Sequence, residues 1–223
     1  MKISLFAGAL AVALITTGCN NDDDNPTPSG GPGGGGGGTT PLTATTPCSL
    51  NMTINGSVVS YVSADLGPWT CLQGGGGGGV FPGVLVERSW AAGVSNLDSD
   101  VGFSGLEFRV GSFQYMNGGP VSDNQFFSYF AEGVLPFGTV DQELNKVEVV
   151  VWEDGARFSS ACGTGNQTGS QVQIIDLLPI TSQFFTGEMK ARITFNCKLY
   201  PCDGIGSTKT ITGGTAVVSF GNI

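Results

Sequence analysis

Apolar and polar residues alternate with a period of two along much of the chain after residue 46, which is typical of strands with one buried face. On this pattern, strands are predicted at 83–90, 104–115, 125–131, 145–152, 156–161, 171–178 and 207–220. No segment has the apolar stripe of an amphipathic helix over ten or more residues. The clearest alternation joins Met189, Ala191, Ile193, Phe195, Cys197 and Leu199. The pattern predicts an all-β fold, an antiparallel β-sandwich of about 8–10 strands, over 47–223.

Turn residues set the predicted strand boundaries. Asn55-Gly56 separates two apolar runs within 51–62 and predicts a hairpin, because both central residues of a type I′ turn need positive φ. The glycine run at 74–79 has no lysine beside it and lacks a Gly-Lys-Ser/Thr ending, so we interpret it as a mobile surface loop and not as a phosphate cradle. The glycines of 163–169 lack dinucleotide-binding spacing and predict a hairpin loop.

Composition excludes several kinds of chemistry. The chain has no histidine, so the imidazole bases of serine and cysteine hydrolases and the usual zinc helix cannot be built. Its formal charge of -9 and pI near 4.2 argue against binding nucleic acid, which requires clustered Lys and Arg. The sequence therefore favours a noncatalytic protein that needs no cofactor and binds no nucleic acid.

The N-terminus resembles an export signal followed by a lipidation site. Residues 1–18 combine Lys2 with a short apolar stretch and small residues, and Cys19 follows them as in the lipobox of bacterial lipoproteins. Thr16 stands where such signals usually carry Leu, Val or Ile, and Ile15 lies one place further back. Residues 19–46 are rich in Asn, Asp, Pro and Gly, which predicts a flexible tether between the lipidated cysteine and the domain.

The run of Asn and Asp directly after Cys19 resembles that of surface lipoproteins of the Bacteroidota type. The resemblance extends into the domain through the Thr53-to-Gly56 turn, the 163–169 loop and Gly213-Gly214-Thr215. It implies a protein anchored by lipid in the outer membrane and exposed at the cell surface. No activity is assigned to these lipoproteins, so the resemblance implies no catalytic residue in this chain. The alternative is that the acidic run only solvates the start of the tether.

Five cysteines lie within the predicted domain, and an exported protein meets oxidising conditions. We predict a bridge between Cys48 and Cys71 across the first hairpin. We also predict a bridge between Cys162 and Cys197, since strand parity points both side chains inward. Pairing of Cys197 with Cys202 is the rival, and an odd count leaves one cysteine unpaired within the domain. The cysteine spacing does not fit structural zinc.

Candidate ligand contacts come from acidic and aromatic side chains. Asp98 and Asp100 are weak calcium candidates, because Val101 stands where an EF-hand loop requires glycine. Trp69, Trp90 and Tyr115 lie near predicted turns and are candidates for an exposed ligand-binding surface. Aromatic residues inside strands are assigned to the core: Phe108, Trp152, Phe158 and Phe195.

Three functional hypotheses remain. The leading one is a surface-anchored, noncatalytic binding or adhesion module for a glycan or a surface protein. The second is a structural or envelope-assembly component. The third is a glycoside hydrolase, which needs two facing carboxylates and no histidine. Its candidate acids are Glu107, Glu132, Glu153 and Asp154.

Overall fold

The computed structural model describes residues 40–63, 69–77, 86–96, 102–115, 121–138, 146–181 and 187–222, without the side chains of 75–77, 86–87 and 112–115. Within these ranges the chain forms eleven strands and one helix. In chain order they are β1 (Ser49–Ile54), β2 (Ser57–Val62), β3 (Trp69–Gly77), β4 (Val86–Asn96), β5 (Phe103–Tyr115), α1 (Asp123–Tyr129), β6 (Gly133–Leu135), β7 (Val147–Glu153), β8 (Ala156–Ser159), β9 (Gln171–Ile180), β10 (Glu188–Pro201) and β11 (Lys209–Gly221).

The strands pair in the order β2-β1-β11-β10-β8-β7-β5-β4-β3, with β9 added to β10 and β6 added to β9. Every pairing between these strands is antiparallel. One half of the sheet runs from β2 to β10, the other from β8 to β3, and β11 packs against β3 and β4. The sheet thus folds over its own core and is nearly barrel-shaped, which confirms the predicted antiparallel all-β fold.

Strand β10 shows the period of two in its burial. All six alternating apolar residues predicted to face inward are buried, and the ring of Phe195 meets that of Phe108 in β5 at 5.0 Å between centroids. Burial of the large side chains among them, those of Met189, Ile193, Phe195 and Leu199, stabilises the fold by about 1.5–3 kcal/mol each. Phe108 and Phe158 are also core residues as predicted, whereas Trp152 is only half-buried because it shares the outer face of the sheet with Arg157.

The first hairpin forms as its turn residues predict. Strands β1 and β2 pair without a register shift, and Asn55 and Gly56 have φ values of 49° and 87°. These left-handed conformations match the twist that a two-residue turn must impart.

A disulfide and an aromatic stack join the β1–β2 hairpin to β3. Cys48, just ahead of β1, is bonded to Cys71 in β3, with 5.5 Å between the Cα atoms, which confirms this predicted bridge. The ring of Tyr61 in β2 stacks on Trp69 in β3 at 3.6 Å between centroids, and Phe103 lies 5.9 Å from Trp69. The ends of the folded sheet are thereby held together without a hydrogen-bonded ladder between β2 and β3 in the described residues.

The strand predicted at 125–131 is wrong, because residues 123–129 form α1. Ser122 caps this helix and forms a capping box with Gln125, and Phe126 and Phe130 are buried one turn apart. The Asp123 carboxylate accepts hydrogen bonds from the Gly187 amide at 2.7 Å and from Asn222 at 3.0 Å. A helix of only seven residues is too short to show a long apolar stripe, so the capping residues are its main sequence signal.

The surface loop predicted at 74–79 is wrong for its first four residues. Gly74 to Gly77 lie in β3 and pair with residues 88–91 of β4, and Gly78 and Gly79 lie outside the described residues. Glycine disfavours strands but keeps both backbone hydrogen-bonding groups, so the neighbouring strand can still pair with it. The loop containing 163–169 also differs from its prediction, since it joins β8 to β9, which pair with β10 and not with each other.

The predicted Cys162–Cys197 bridge is wrong. Cys162 is bonded to Cys202, with 5.1 Å between the Cα atoms, and Cys197 is a free, buried cysteine. Strand β8 ends at Ser159, so its pairing with β10 does not extend to Cys162. The turn that follows brings Cys162 to the end of β10, whereas Cys197 faces the core.

Residues 40–46, which the sequence assigns to the tether, lie against the outer face of β9 and β10, and we call them the strap. The Lys190 ammonium donates to the carbonyl oxygens of Ala44 at 2.7 Å and Thr46 at 2.8 Å. Arg192 donates to the Thr40 carbonyl at 2.6 Å. The Leu42 amide donates to the carboxylate of Asp176, which also pairs with Arg192. These contacts satisfy a buried ammonium and fix the start of the described chain.

Replacing Gly214 with alanine should destabilise the domain. An added Cβ would lie 2.6 Å from the rigid ring of Phe195, and overpacking of this kind costs about 1–3 kcal/mol. Urea unfolding of Gly214→Ala measures the loss. Gly74→Ala is the control, since its Cβ would meet only the Ala91 Cβ at 3.4 Å, and equal stability of the two variants would contradict the packing.

Iodoacetamide at pH 8 should leave Cys197 unmodified in the native protein and alkylate it after denaturation without reductant. Burial raises the pKa of the Cys197 thiol to about 12, so the thiol stays protonated as well as shielded. Peptide mapping by mass spectrometry should recover Cys48 linked to Cys71 and Cys162 linked to Cys202. A peptide linking Cys162 to Cys197 would contradict the structure.

Candidate functional site

Two of the three aromatic candidates do not form an exposed surface. Trp90 is buried beneath two aromatic rings of α1. The centroid of its ring lies 5.3 Å from that of Phe126 and 4.8 Å from that of Tyr129. The prediction that Trp90 is exposed is therefore wrong, because the helix that covers it was not predicted. Trp69 is half-buried in the stack at the sheet edges. Tyr115 ends β5, and its side chain lies outside the described residues.

The acidic candidates are separate from one another or already paired. Asp98 and Asp100 lie outside the described residues, and the described ranges contain no group of three His, Cys, Asp or Glu that could hold a metal. Glu107 pairs with Arg109 at 2.9 Å, and Glu153 pairs with Lys209. Asp154 accepts from the Gly102 amide at 2.6 Å, and Glu132 is exposed.

One buried carboxylate was not predicted. Glu148 in β7 accepts from Arg157 at 2.9 Å and from the hydroxyl of Ser159, and it lies opposite Arg109 in the β5–β7 ladder. Glu107 and Glu148 therefore share the outer face of adjacent strands, each neutralised by an arginine. Such pairing compensates the burial of the two carboxylates.

The outer face of β10 carries a continuous row of polar side chains. Lys190 and Arg192 hold the strap, and Thr194, Asn196 and Lys198 follow them along the strand. The alternation that places apolar residues in the core thus places this row outside. Beyond the strap, the row is open and forms the centre of a shallow groove.

A β-bulge shapes this groove. In the β10–β11 ladder, Phe195 pairs with Gly214 and Cys197 with Ile211, so that Thr212 and Gly213 together face Asn196. Gly213 has a φ of 60°, a conformation that glycine adopts without strain. The extra residue reverses the parity of β11, so threonines on both sides of the bulge face outward while Ile211 and Gly214 stay inside.

Two depressions meet at the bulge, and both include Asn196 and Gly213. The first, of about 250 Å³, is lined by Gln171, Thr194, Phe195, Asn196, Gly213, Gly214 and Thr215. The second, of about 290 Å³, is lined by Thr168, Gly169, Ser170, Asn196, Cys197, Lys198, Thr210, Ile211, Thr212 and Gly213. We call the two together the β10–β11 groove. Each is slightly below the usual range for small-molecule pockets, about 300–1,000 Å³, so a ligand of ordinary size would have to extend over both depressions.

The loop between β8 and β9 supplies one wall of the groove, and Gln167 fixes that loop. Its side-chain amide accepts from the Lys198 amide at 3.0 Å and donates to the Lys198 carbonyl at 2.6 Å. The Gln167 side chain thus forms the two hydrogen bonds that a neighbouring strand would form with β10. It does so at Lys198, between the part of β10 that pairs with β9 and the part that pairs with β8. Tyr200 donates to the Asn166 carbonyl at 2.7 Å, and the Cys162–Cys202 bridge closes the same loop.

The groove offers hydroxyl and amide groups and little charge. Neither depression is lined by Asp or Glu, and Lys198 is the charged residue in the lining. Hydroxyl and amide groups both donate and accept hydrogen bonds. Acid–base or nucleophilic chemistry has no paired groups in this lining, whereas binding of a hydroxyl-rich molecule is well matched.

Sequence reasoning missed the groove, although one signal pointed to it. Gly213 and Gly214 interrupt the strand predicted at 207–220, and glycine inside a strand often marks a bulge. The outward threonines and Asn196 give no local signal, because threonine is common on any exposed strand.

Comparison with protein-family models, curated proteins and solved structures found no match. In the described part of the chain, no helix has the length and apolar character needed to cross a membrane.

Replacing Gln167 with alanine should loosen the groove wall. The Lys198 amide and carbonyl and the Ser160 carbonyl each lose a partner, and because these bonds are partly buried, each loss costs up to about 1–3 kcal/mol. We expect a lower melting temperature and faster hydrogen exchange at the Lys198 amide. Thr164→Ala in the same loop is the control and should change neither; unchanged exchange in Gln167→Ala would show that the side chain does not hold the wall.

Proposed function

We propose that the protein is a noncatalytic binding module, displayed on the cell surface, whose β10–β11 groove binds a hydroxyl-rich ligand such as a glycan. The observation that carries this proposal is the lining of the groove, in which threonine hydroxyls and the amides of Gln171 and Asn196 line two adjoining depressions. Sugar hydroxyls need partners that both donate and accept. The lining lacks the paired carboxylates of a glycosidase.

The rigid framework of the groove favours binding. Strands β10 and β11 pair along almost their whole length, and the wall is fixed by Gln167 and by a disulfide. A site built on strands loses little conformational entropy when a ligand binds, which favours affinity.

The N-terminal sequence supports a surface location for this module. The export signal at 1–18 and Cys19 favour a lipid anchor in the outer membrane, and the glycine-rich tether would separate the domain from the lipid. A binding module held in this way would contact soluble or surface glycans or a surface protein.

Replacing Thr212 with tryptophan should block the groove. Thr212 is exposed and lines the second depression, so an indole there would fill the space and lower affinity for a glycan by at least about tenfold. An oligosaccharide array identifies binders, and calorimetric titration compares the variants. Ser60→Trp on the exposed face of β2 is the control and should bind normally. Equal binding by Thr212→Trp, or no binding to any oligosaccharide, would count against the groove.

A second candidate function, envelope assembly, is favoured by the edge strand β2. In the described residues β2 pairs only with β1, and it exposes Val58 and Val62 by 74% and 57%. An unpaired strand edge can add a strand from another protein. Crosslinking from a photoreactive residue at position 58 in whole cells tests this function: a stable partner that disappears in Val58→Lys supports it, and the absence of any crosslink argues against it.

A further inference from the structure

Lys190 and Lys198 both donate to carbonyl oxygens instead of forming an ion pair, and of these two only Lys198 lines the groove. Arg109, Arg157, Arg192 and Lys209 each form an ion pair with a carboxylate. The Lys198 ammonium instead donates to the Thr168 carbonyl at 3.3 Å, and no described carboxylate lies within ion-pairing distance of it. An ammonium has three N–H donors, so Lys198 keeps donors for a ligand.

The surroundings of Lys198 are unusual for so acidic a protein. The chain has 18 acidic and 9 basic residues, yet neither depression of the groove is lined by a carboxylate. The lining therefore combines one cation with neutral hydrogen-bonding groups. A ligand that complements it has many hydroxyls and one negative charge.

The charge also lies at one end of the groove. Lys198 lines the second depression together with Thr168 and Thr210, whereas the first depression has neutral hydroxyl and amide groups around Thr194 and Thr215. A linear ligand would therefore meet the ammonium at one end and neutral groups at the other.

We propose that the groove selects a carboxylated glycan, such as an oligomer that contains uronic acid, and binds a carboxylate at Lys198. This inference rests on the proposed glycan-binding function and adds the charge of the ligand to it. Charge complementarity carries it: a charge-assisted hydrogen bond contributes more affinity than a neutral one, and the neutral lining adds no repulsion.

The test compares glycans with and without the negative charge of a carboxylate. Trisaccharides with a single terminal uronate (galacturonate, glucuronate or mannuronate) are titrated into the full-length protein beside their methyl esters, which keep the ring hydroxyls and lose the negative charge. We expect at least one acid to bind roughly tenfold more tightly than its ester. The preference should shrink between 0.1 and 1 M salt, because the screening length falls from about 10 to about 3 Å.

Variants of Lys198 assign the preference to this residue. Lys198→Met should bind acid and ester equally, and Lys198→Arg should keep the preference. Lys146→Met is the matched control, since it changes the net charge equally but lies just before β7 and lines neither depression. Melting curves of each variant exclude loss of folding as the cause.

The outcomes separate this inference from the function on which it rests. Esters that bind as tightly as the acids overturn the charge selection and leave glycan binding intact. A preference for a sulfated over a carboxylated trisaccharide overturns the assignment of the carboxylate. Failure of all three pairs overturns the inference, while the oligosaccharide array decides separately whether the groove binds any glycan.

Discussion

The antiparallel pairing of β10 with its neighbours is the constraint on which the rest of the structure depends. This strand pairs with β11 on one side and with β9 and β8 on the other, so both edges of its backbone are occupied. Successive side chains of β10 point to opposite faces of the sheet. The register of this strand therefore determines both which residues lie in the core and which lie on the outer face. The strap, the groove and the core contact between Phe195 and Phe108 all follow from this register.

The bulge at Thr212 and Gly213 reconciles two requirements along β11. The inward residues must continue to fill the core after the bulge, and Gly214 is the position where the Phe195 ring leaves no space for a side chain. One extra residue preserves the inward set and turns threonines outward on both sides of it. The groove is thus produced by the packing of the core below it, and a change in the core would alter the shape of the groove.

Local rules predicted the parts of the fold that depend on neighbours in sequence. The Asn55-Gly56 turn and the alternation around Phe195 could be predicted because the turn type and the pleat are encoded within a few residues. The buried position of Trp90 could not, because α1 covers it from more than thirty residues away. Cys162 likewise finds Cys202 through a turn that strand parity does not describe. The groove depends on three separate segments that meet only in the folded chain.

The strap has a mechanical consequence. A pull on the chain ahead of Thr40 acts first on its bond to Arg192, and the contacts of Leu42 with Asp176 and of the later carbonyls with Lys190 come next. These bonds would open one after another, as in local unfolding from a terminus. Peeling then reaches Cys48, whose covalent link to β3 shares the load with the opposite edge of the sheet. We therefore expect tension on the strap to release a short length of chain while the disulfide keeps the fold closed.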